Sequence, residues 1–241
     1  MFYMKKFILD ESLFEKFPDA EIKYFTVSGI DNHEDISQKE YLTNLLANAK
    51  EEAKQYIQIE PFRDNPVVAG WRKVYQNFKK KKGARSSIEA LLKRVSQNRD
   101  FNSILPLVDL YNSVSLKYGV PCGGEDIDQV ENAMHLGVTQ GGDDFWPLGA
   151  DDSEPTLPGE VCYYDDKGAI CRCWNWREAK RTMLTENTTN AVLVTEAATK
   201  EQAKNMEAAM LELNNLIQNY FKITPSKIIT LNHENPVGEL N

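Results

Sequence analysis

The order of two hydrophobic periodicities constrains this chain most. Residues 21–30 alternate and are rich in aromatic and branched side chains, as a strand is, and Gly29 and Asp31 end the run. Apolar residues then recur three and four apart. Leu42, Leu45, Leu46, Ala49, Ala53 and Ile57 share one helical face, behind a capping-box signature at Ser37 and Glu40. Pro61 and Pro66 break the pattern. Ser86 and Glu89 repeat the capping signature ahead of a helix over 87–97, with Leu91, Leu92 and Val95 inward. A further helix is expected over 103–117, stopped by Gly119 and Pro121. From 121 to 195 the character changes. Residues 121–126 are turn-rich, 160–164 and 169–176 read as strands joined by the turn Asp165-Asp166-Lys167-Gly168, and 191–195 is another strand. Thr199 opens a last long helix whose Ala203, Met206, Met210, Leu213, Ile217 and Tyr220 form a core-facing seam. Helices first, strands clustered in the middle, helix again and no internal repeat predict an α/β (α+β) fold, a mixed β-sheet covered by helices.

At 241 residues the chain suits one large domain, or a domain with an appendage, and can bury its core without disulfides or metal. The break at 61–66 carries no Gly/Ser-rich run, so it marks a soft boundary, not a flexible linker. Three segments follow: 1–60, a strand and helix packed on the main domain; 61–222, the main domain; and 223–241, a C-terminal strand and tail. No apolar run reaches the roughly 20 residues of a membrane span. Phe7-Ile8-Leu9, behind Lys5 and Lys6, is shorter than the roughly 7 residues of a signal-peptide core. Cys122, Cys162, Cys171 and Cys173 show no framework spacing, so a reducing cytoplasm with no membrane partner is expected.

The net charge of −8 hides an asymmetry. From Arg63 to Arg99, eleven Lys or Arg stand against two acids, a local +9 that leaves −17 on the rest. Lys79-Lys80-Lys81-Lys82-Gly83-Ala84-Arg85 is the densest point. A polyanion fits such a region; on charge alone, a solvated lysine loop is the simpler reading.

The run Cys171 to Arg181 combines three guanidinium groups (Arg172, Arg177, Arg181), two indoles (Trp174, Trp176) and the carboxamide of Asn175. A core strand would have to satisfy all those donors, and a solvated strand has no use for two Trp. A planar cationic fork beside flat stacking faces suits a binding surface. The polar run 182–190 that follows suits a pocket-lining loop. Asp109, Asn112 and Ser115 recur every three residues and share a helical face, so they can point together at a site. Other devices are disfavoured. His33, His135 and His233 are isolated, and His135 reads as a helix histidine with its hydrogen bonds satisfied. Cys171-x-Cys173 lacks zinc spacing, and the two thiols fit as packing on one strand face. No nucleophile elbow occurs. Gly123-Gly124 and Gly141-Gly142 fit no phosphate-loop pattern and read as turns. No cofactor and no metal are expected.

Taken in order, these pieces resemble a known module. Arg85-Ser86-Ser87-x-Glu89-Ala90-Leu91, Val108-Asp109-Leu110-Tyr111-Asn112-x-x-Ser115-Leu116 and Pro121-x-x-Gly124-x-Asp126 are followed by Pro158-Gly159-Glu160, Cys171-Arg172-x-Trp174-Asn175-Trp176-Arg177 and Thr185-Glu186-x-Thr188-x-Asn190. Together they are similar to the B-three/B-four domain of the phenylalanyl-tRNA synthetase beta subunit, and more so to its free-standing bacterial relatives, over about residues 62–221. In the synthetase this domain edits: it hydrolyses the ester of tyrosine wrongly attached to phenylalanine tRNA. The resemblance implies tRNA or aminoacyl-tRNA as the partner and ester hydrolysis without aminoacylation. It also has departures. The synthetase's pocket His falls at Gly123, its Gly-Gly loop near Arg177-Glu178, and its pocket Glu within 194–196, so tyrosine specificity does not carry over.

On that resemblance, catalysis is assigned to Asn175 and Thr185, holding the attacking water, and to Arg177, stabilising the oxyanion. Substrate binding is assigned to Asn112, Ser115, Gly124, Asp126, Glu160, Arg172, Trp174 and Glu196. The RNA backbone is assigned to Arg72, Lys79, Lys80, Lys81, Lys82 and Arg85. Two rivals stand beside the hydrolase: a non-catalytic RNA-binding module stacking bases on Trp174 and Trp176, and a small-molecule hydrolase or binding protein that kept the pocket and lost RNA.

Overall fold

A computed structural model describes residues 5–240; the first four residues of the segment 1–60 and the last of 223–241 lie outside the described residues. In chain order the elements are β1 (Lys5–Leu9), α1 (Glu11–Lys16), β2 (Glu21–Ser28), α2 (Lys39–Ala53), α3 (Pro66–Val74), α4 (Ser87–Ser96), α5 (Pro106–Tyr118), β3 (Cys122–Asp126) and β4 (Ala133–Val138). They continue with β5 (Val161–Asp165), β6 (Gly168–Arg172), β7 (Arg177–Glu178), β8 (Asn190–Ala197), α6 (Lys200–Ala203), α7 (Met206–Phe221), β9 (Ile229–Leu231) and β10 (Val237–Leu240). The fold is mixed α/β, with two sheets where one was expected. One sheet runs β10-β1-β4-β5-β6-β7 and the other β3-β8-β2-β9.

Three layers result. Leu136, Tyr163 and Ile170 of the first sheet and Ile22, Val192 and Val194 of the second belong to one apolar core between the sheets. The other face of the second sheet carries Phe25, Val27 and Leu193, which pack with Leu42 of α2, Leu107, Leu110 and Val114 of α5, and Met210, Leu213 and Ile217 of α7. The seam read in α7 is therefore the side that covers this sheet. Sequence-distant strands stitch the layers: β1 lies parallel to β4 and antiparallel to β10, and β2 lies antiparallel to both β8 and β9. Among the described residues no helix is long and apolar enough to cross a membrane, and all four cysteines are free and buried.

The local signals read correctly where side chain and backbone agree. Ser86 caps α4, its Oγ accepting from Glu89 N–H at 3.3 Å, and Gly119 ends α5 at φ +66°, where a Cβ would meet the Tyr56 ring at 2.9 Å. Elsewhere the structure differs. A 3-10 turn capped by Asp35, which accepts from Ser37 N–H at 2.8 Å, replaces the Ser37 capping box, and α2 starts at Lys39. The helix expected from 103 begins at Pro106, because Asp109 accepts from Ile104 N–H at 3.0 Å and from the Ser103 hydroxyl, holding that segment outside the helix. The last long helix is two, α6 and α7. His135 lies on strand β4, not on a helix, with Nδ1 2.9 Å from Asp10 Oδ1.

Two corrections shape the site. Residues 121–126 are not a turn: Cys122–Asp126 is β3, paired along β8. Its glycines are there for closeness, since a Cβ on Gly124 would stand 2.9 Å from Leu193 Cδ1 and 3.1 Å from Val192 O. The strand expected over 169–176 stops at Arg172. Cys173 and Trp174 then take φ of +48° and +66°, Trp176 N–H closes the turn on Arg172 O at 3.1 Å, and β7 returns beside β6. This reversal drives Trp174 into the core, fully buried, edge-on to Trp71 with ring centroids 5.6 Å apart and to Phe17 at 5.1 Å.

Candidate functional site

A cavity opens between the facing surfaces of the two sheets. Alternate residues of a strand share a face, so the register decides which side chains meet there. Gly123 and Glu125 of β3 pair with Val194 and Val192 of β8, which puts Glu125 and Glu196 on one inner face. Opposite them, Tyr163, Cys171 and Glu178 are in register across β5, β6 and β7. Leu91 and Arg94 of α4 with Tyr111 and Asn112 of α5 complete the wall. The enclosed volume is about 420 Å³, in the range of small-ligand pockets.

Three carboxyls dominate its chemistry. Glu196 is 3% exposed; it accepts from Tyr163 Oη on Oε1 and from Asn175 Nδ2 on Oε2, both at 2.5 Å. Burial pushes it up to about 7 against the pull of these hydrogen bonds. Burial also raises Glu178. Glu125 is raised well above the carboxylate range, by burial first and then by the charge of Glu178. One of its oxygens, Oε2, is buried without a hydrogen-bond partner, as is the hydroxyl of Thr182. Cys171 lies among all three acids, which together with its burial push its thiol up. Carboxyls brought into the neutral range by desolvation are the groups expected of acid–base chemistry.

The expected site residues divide. Asn112, Gly124, Trp174, Asn175, Arg177 and Glu196 line the cavity. Asn175 is held in place, its Oδ1 accepting from Tyr75 Oη at 3.0 Å and Ser87 N–H at 3.3 Å. Arg177 is exposed at the mouth, its guanidinium 5.3 Å from the centroid of the Trp176 ring. Trp174 presents an edge of a core side chain, which rules out base stacking on both its faces; Trp176, half-buried, keeps that possibility.

The others lie outside the cavity, each already occupied. Asp109 and Ser115 do not point with Asn112: Ser115 Oγ donates to Val120 O at 2.5 Å. Asp126 accepts from Asp128 N–H at 3.0 Å and Thr188 Oγ at 2.8 Å. Thr185 shapes its own loop, accepting from Asn187 N–H at 3.2 Å, and cannot hold a water in the cavity from there. Glu160 and Arg172 form a closed buried pair, with Nε–Oε1 2.9 Å and Nη2–Oε2 2.7 Å. Arg172 also donates to Glu154 O at 2.7 Å, and Glu160 accepts from Cys173 N–H at 2.9 Å and Leu157 N–H at 3.0 Å. They hold the hairpin and do not line the cavity.

The basic run is similarly split. Arg72 pairs with Glu89 at 2.6 Å, Lys80 Nζ donates to Tyr75 O at 2.8 Å, and Lys81 pairs with Glu154. Lys79, Lys82 and Arg85 are exposed. A second cavity of about 640 Å³, among α1, α3 and α6, is lined by none of the expected residues. No group of His, Cys, Asp or Glu among the described residues is arranged to hold a metal ion. The sequence reading missed Glu125, Glu178, Tyr111 and Tyr163. Glu125 and Glu178 look like solvated acids in sequence, and only the long-range strand pairing makes them neighbours.

Comparison with known proteins bears on this arrangement. No curated protein matches the chain. A solved structure similar to it is an N-terminal fragment of the phenylalanyl-tRNA synthetase beta subunit from Pyrococcus horikoshii, at 14% identity and a TM-score of 0.44. The match covers 86% of this chain and 48% of that fragment, so the chain spans about half the fragment's length. The model of the B3/4 domain matches residues 70–223, which takes in α4, α5, every strand lining the cavity and α7, and on that match the chain belongs to the B3/4 domain family.

Proposed function

We propose that this protein is a tRNA-directed hydrolase that cleaves the ester of a misacylated tRNA in the cavity between the two sheets. The observation that carries the reading is Glu196, a buried carboxyl at the cavity wall whose affinity for protons is raised to about neutrality. A base of that strength matches the working pH. Its carboxylate takes a proton from water as the water oxygen bonds to the ester carbonyl carbon. The same proton then goes to the departing ribose oxygen as the carbon–oxygen bond breaks. Asn175, clamped by Tyr75 and Ser87, fixes the orientation of Glu196 and keeps one amide N–H for the water. Arg177 at the mouth faces the developing oxyanion or the terminal phosphate. The family to which the chain belongs, and its resemblance to an editing domain, support the choice of ester.

A panel of tRNAs carrying wrong amino acids, with correctly charged controls, tests this. Selective release of one wrong amino acid is expected; release at the uncatalysed rate across the panel would remove the hydrolase reading.

Lys80 and Lys81, engaged by Tyr75 O and Glu154, favour a second reading, in which the pocket serves a small ester and RNA is not bound. Phosphate recognition is then left to Lys79, Lys82 and Arg85. If tRNA is the partner, replacing these three by Ala makes log affinity fall less steeply with log salt, by about one unit of slope for every phosphate that is no longer neutralised. An unchanged slope, with small-ester hydrolysis intact, would favour the second reading.

A further inference from the structure

The cavity carries more buried acids than an ester hydrolase needs. Glu196 has two hydrogen-bond donors, but Glu125 and Glu178 have no Lys or Arg partner among the described residues. The nearby cations are engaged elsewhere. Arg181 pairs with Asp165 at 2.7 Å, Arg94 donates to Asp100 O at 2.8 Å and lies 5.0 Å from the Phe101 centroid, and Arg177 rests on Trp176. Glu125 is 7% exposed and lines the cavity, and its Oε2 has only the Thr182 hydroxyl near it, outside good hydrogen-bond geometry. A buried acceptor without a partner is costly and is expected to be met by a ligand or a water. The groups facing it are Glu178 from β7, Arg181 and Thr182 from the segment beyond, Asp126 from its own strand, Tyr111 from α5, Tyr163 from β5 and Cys171 from β6. Only Arg181 among them is a cation, and Asp165 neutralises it. Tyr111 and Tyr163 add aromatic rings to the same wall, and aromatic rings attract cations.

We infer that Glu125 and Glu178 form an ammonium subsite, so that the ligand of this cavity presents a primary ammonium group to the β3–β7 side. The group is a hydrogen-bond donor on every side, so it can serve both carboxyls at once, and its compact charge balances one of them in the ionised form. Two carboxyls alone make a poor metal site, and among the described residues no three His, Cys, Asp or Glu are arranged to hold a metal ion. An aminoacyl ester offers such a group at its α-carbon, and some offer a second at the end of the side chain. Identifying the ligand with an aminoacyl ester rests on the function proposed above; the subsite does not. Filling it favours ionisation of this coupled pair, so binding near pH 6 expels protons.

Calorimetry on the full chain, in two buffers of different ionisation enthalpy, tests this with three non-hydrolysable probes. L-norleucinamide has the α-ammonium alone, Nα-acetyl-L-lysinamide has the side-chain ammonium alone, and Nα-acetyl-L-norleucinamide has neither. One of the first two is expected to bind at least about tenfold tighter than the third, with proton release. Which of the two does so identifies the ammonium. Glu125→Gln with Glu178→Gln removes both the preference and the release, and Glu178→Gln alone, at a half-buried position, weakens both if the double variant fails to fold. Equal affinity for all three probes, no saturable binding of either ammonium probe at millimolar concentration, or binding without proton release would overturn the inference. A chain that hydrolyses misacylated tRNA but fails here loses the subsite and keeps the activity; the converse result separates them the other way.

Discussion

Replacing Arg172 by Ala is expected to destabilise the fold by about 3–5 kcal/mol, because it strands a charge with no route to water. Glu160, fully buried, takes hydrogen bonds from Arg172 Nε and Nη2 and from the backbone N–H groups of Leu157 and Cys173. Burial alone would raise its carboxyl; the Arg172 hydrogen bonds, then that of Leu157, overcome this and hold it below its ordinary value. The pair therefore contributes stability that is present above the ordinary carboxylate range and lost as pH falls through the lowered value. Urea unfolding at neutral pH should show a lower midpoint with an unchanged slope. A loss below about 1 kcal/mol would mean that the pair behaves as an exposed one does. Arg172→Met with Glu160→Leu should recover most of the loss, since no charge is then left unpaired. Both residues stand in motifs that suggest a binding surface, yet their work is to fasten the turn carrying Trp174 and Asn175. A drop in activity in either single variant is then a drop in folded protein.

The second large effect concerns Glu196. Glu196→Gln keeps an acceptor for Tyr163 or Asn175 but removes the base, and should lower hydrolysis by about 100-fold or more. In the wild type the rate should rise with pH through about 7, where the carboxyl ionises, and the variant's residual rate should lack that rise. Stability changes in the opposite sense. A carboxyl whose folded value is raised favours the folded state while neutral, fully so below its ordinary range, and this contribution fades as pH climbs through the folded value. From the ordinary 4.5 to about 7 the linked loss is on the order of 3 kcal/mol. The difference in unfolding free energy between wild type and Glu196→Gln should therefore shift by that order, against the wild type, between acid and neutral pH. A pH-independent difference, or a variant with wild-type turnover, would exclude Glu196 as the base.

Much of the fold was legible because short-range chemistry writes it. The Ser86 cap, the left-handed stop at Gly119 and the seam of α7 each need only a few neighbouring residues. The site was legible in part for the same reason: Asn175 and Arg177 lie in a segment whose motif marks them, whereas Glu196 is reached only through the resemblance, which places a pocket acid within 194–196. Illegible were features decided by pairing across long stretches of chain. Glu125 becomes a buried acid only because β3 runs along β8, and Gly123-Gly124 form a strand only because Leu193 and Val192 press against them. Trp174 alternates like a strand residue, yet two left-handed backbone steps turn it inward. Glu160 and Arg172 look like free polar groups until the loop before β5 and the end of β6 meet.

The placement of β1 and β2 bears on how the molecule can be made. Each lies inside its sheet, β1 between β4 and β10 and β2 between β8 and β9. On a ribosome both strands emerge early and wait for partners more than a hundred residues away. Until those partners arrive they are open templates for foreign strands. Cutting the chain down to the part that matches the family would not relieve this. It would bare the flanks of β4 and β8, so the short module would carry its cavity between two newly unpaired edges.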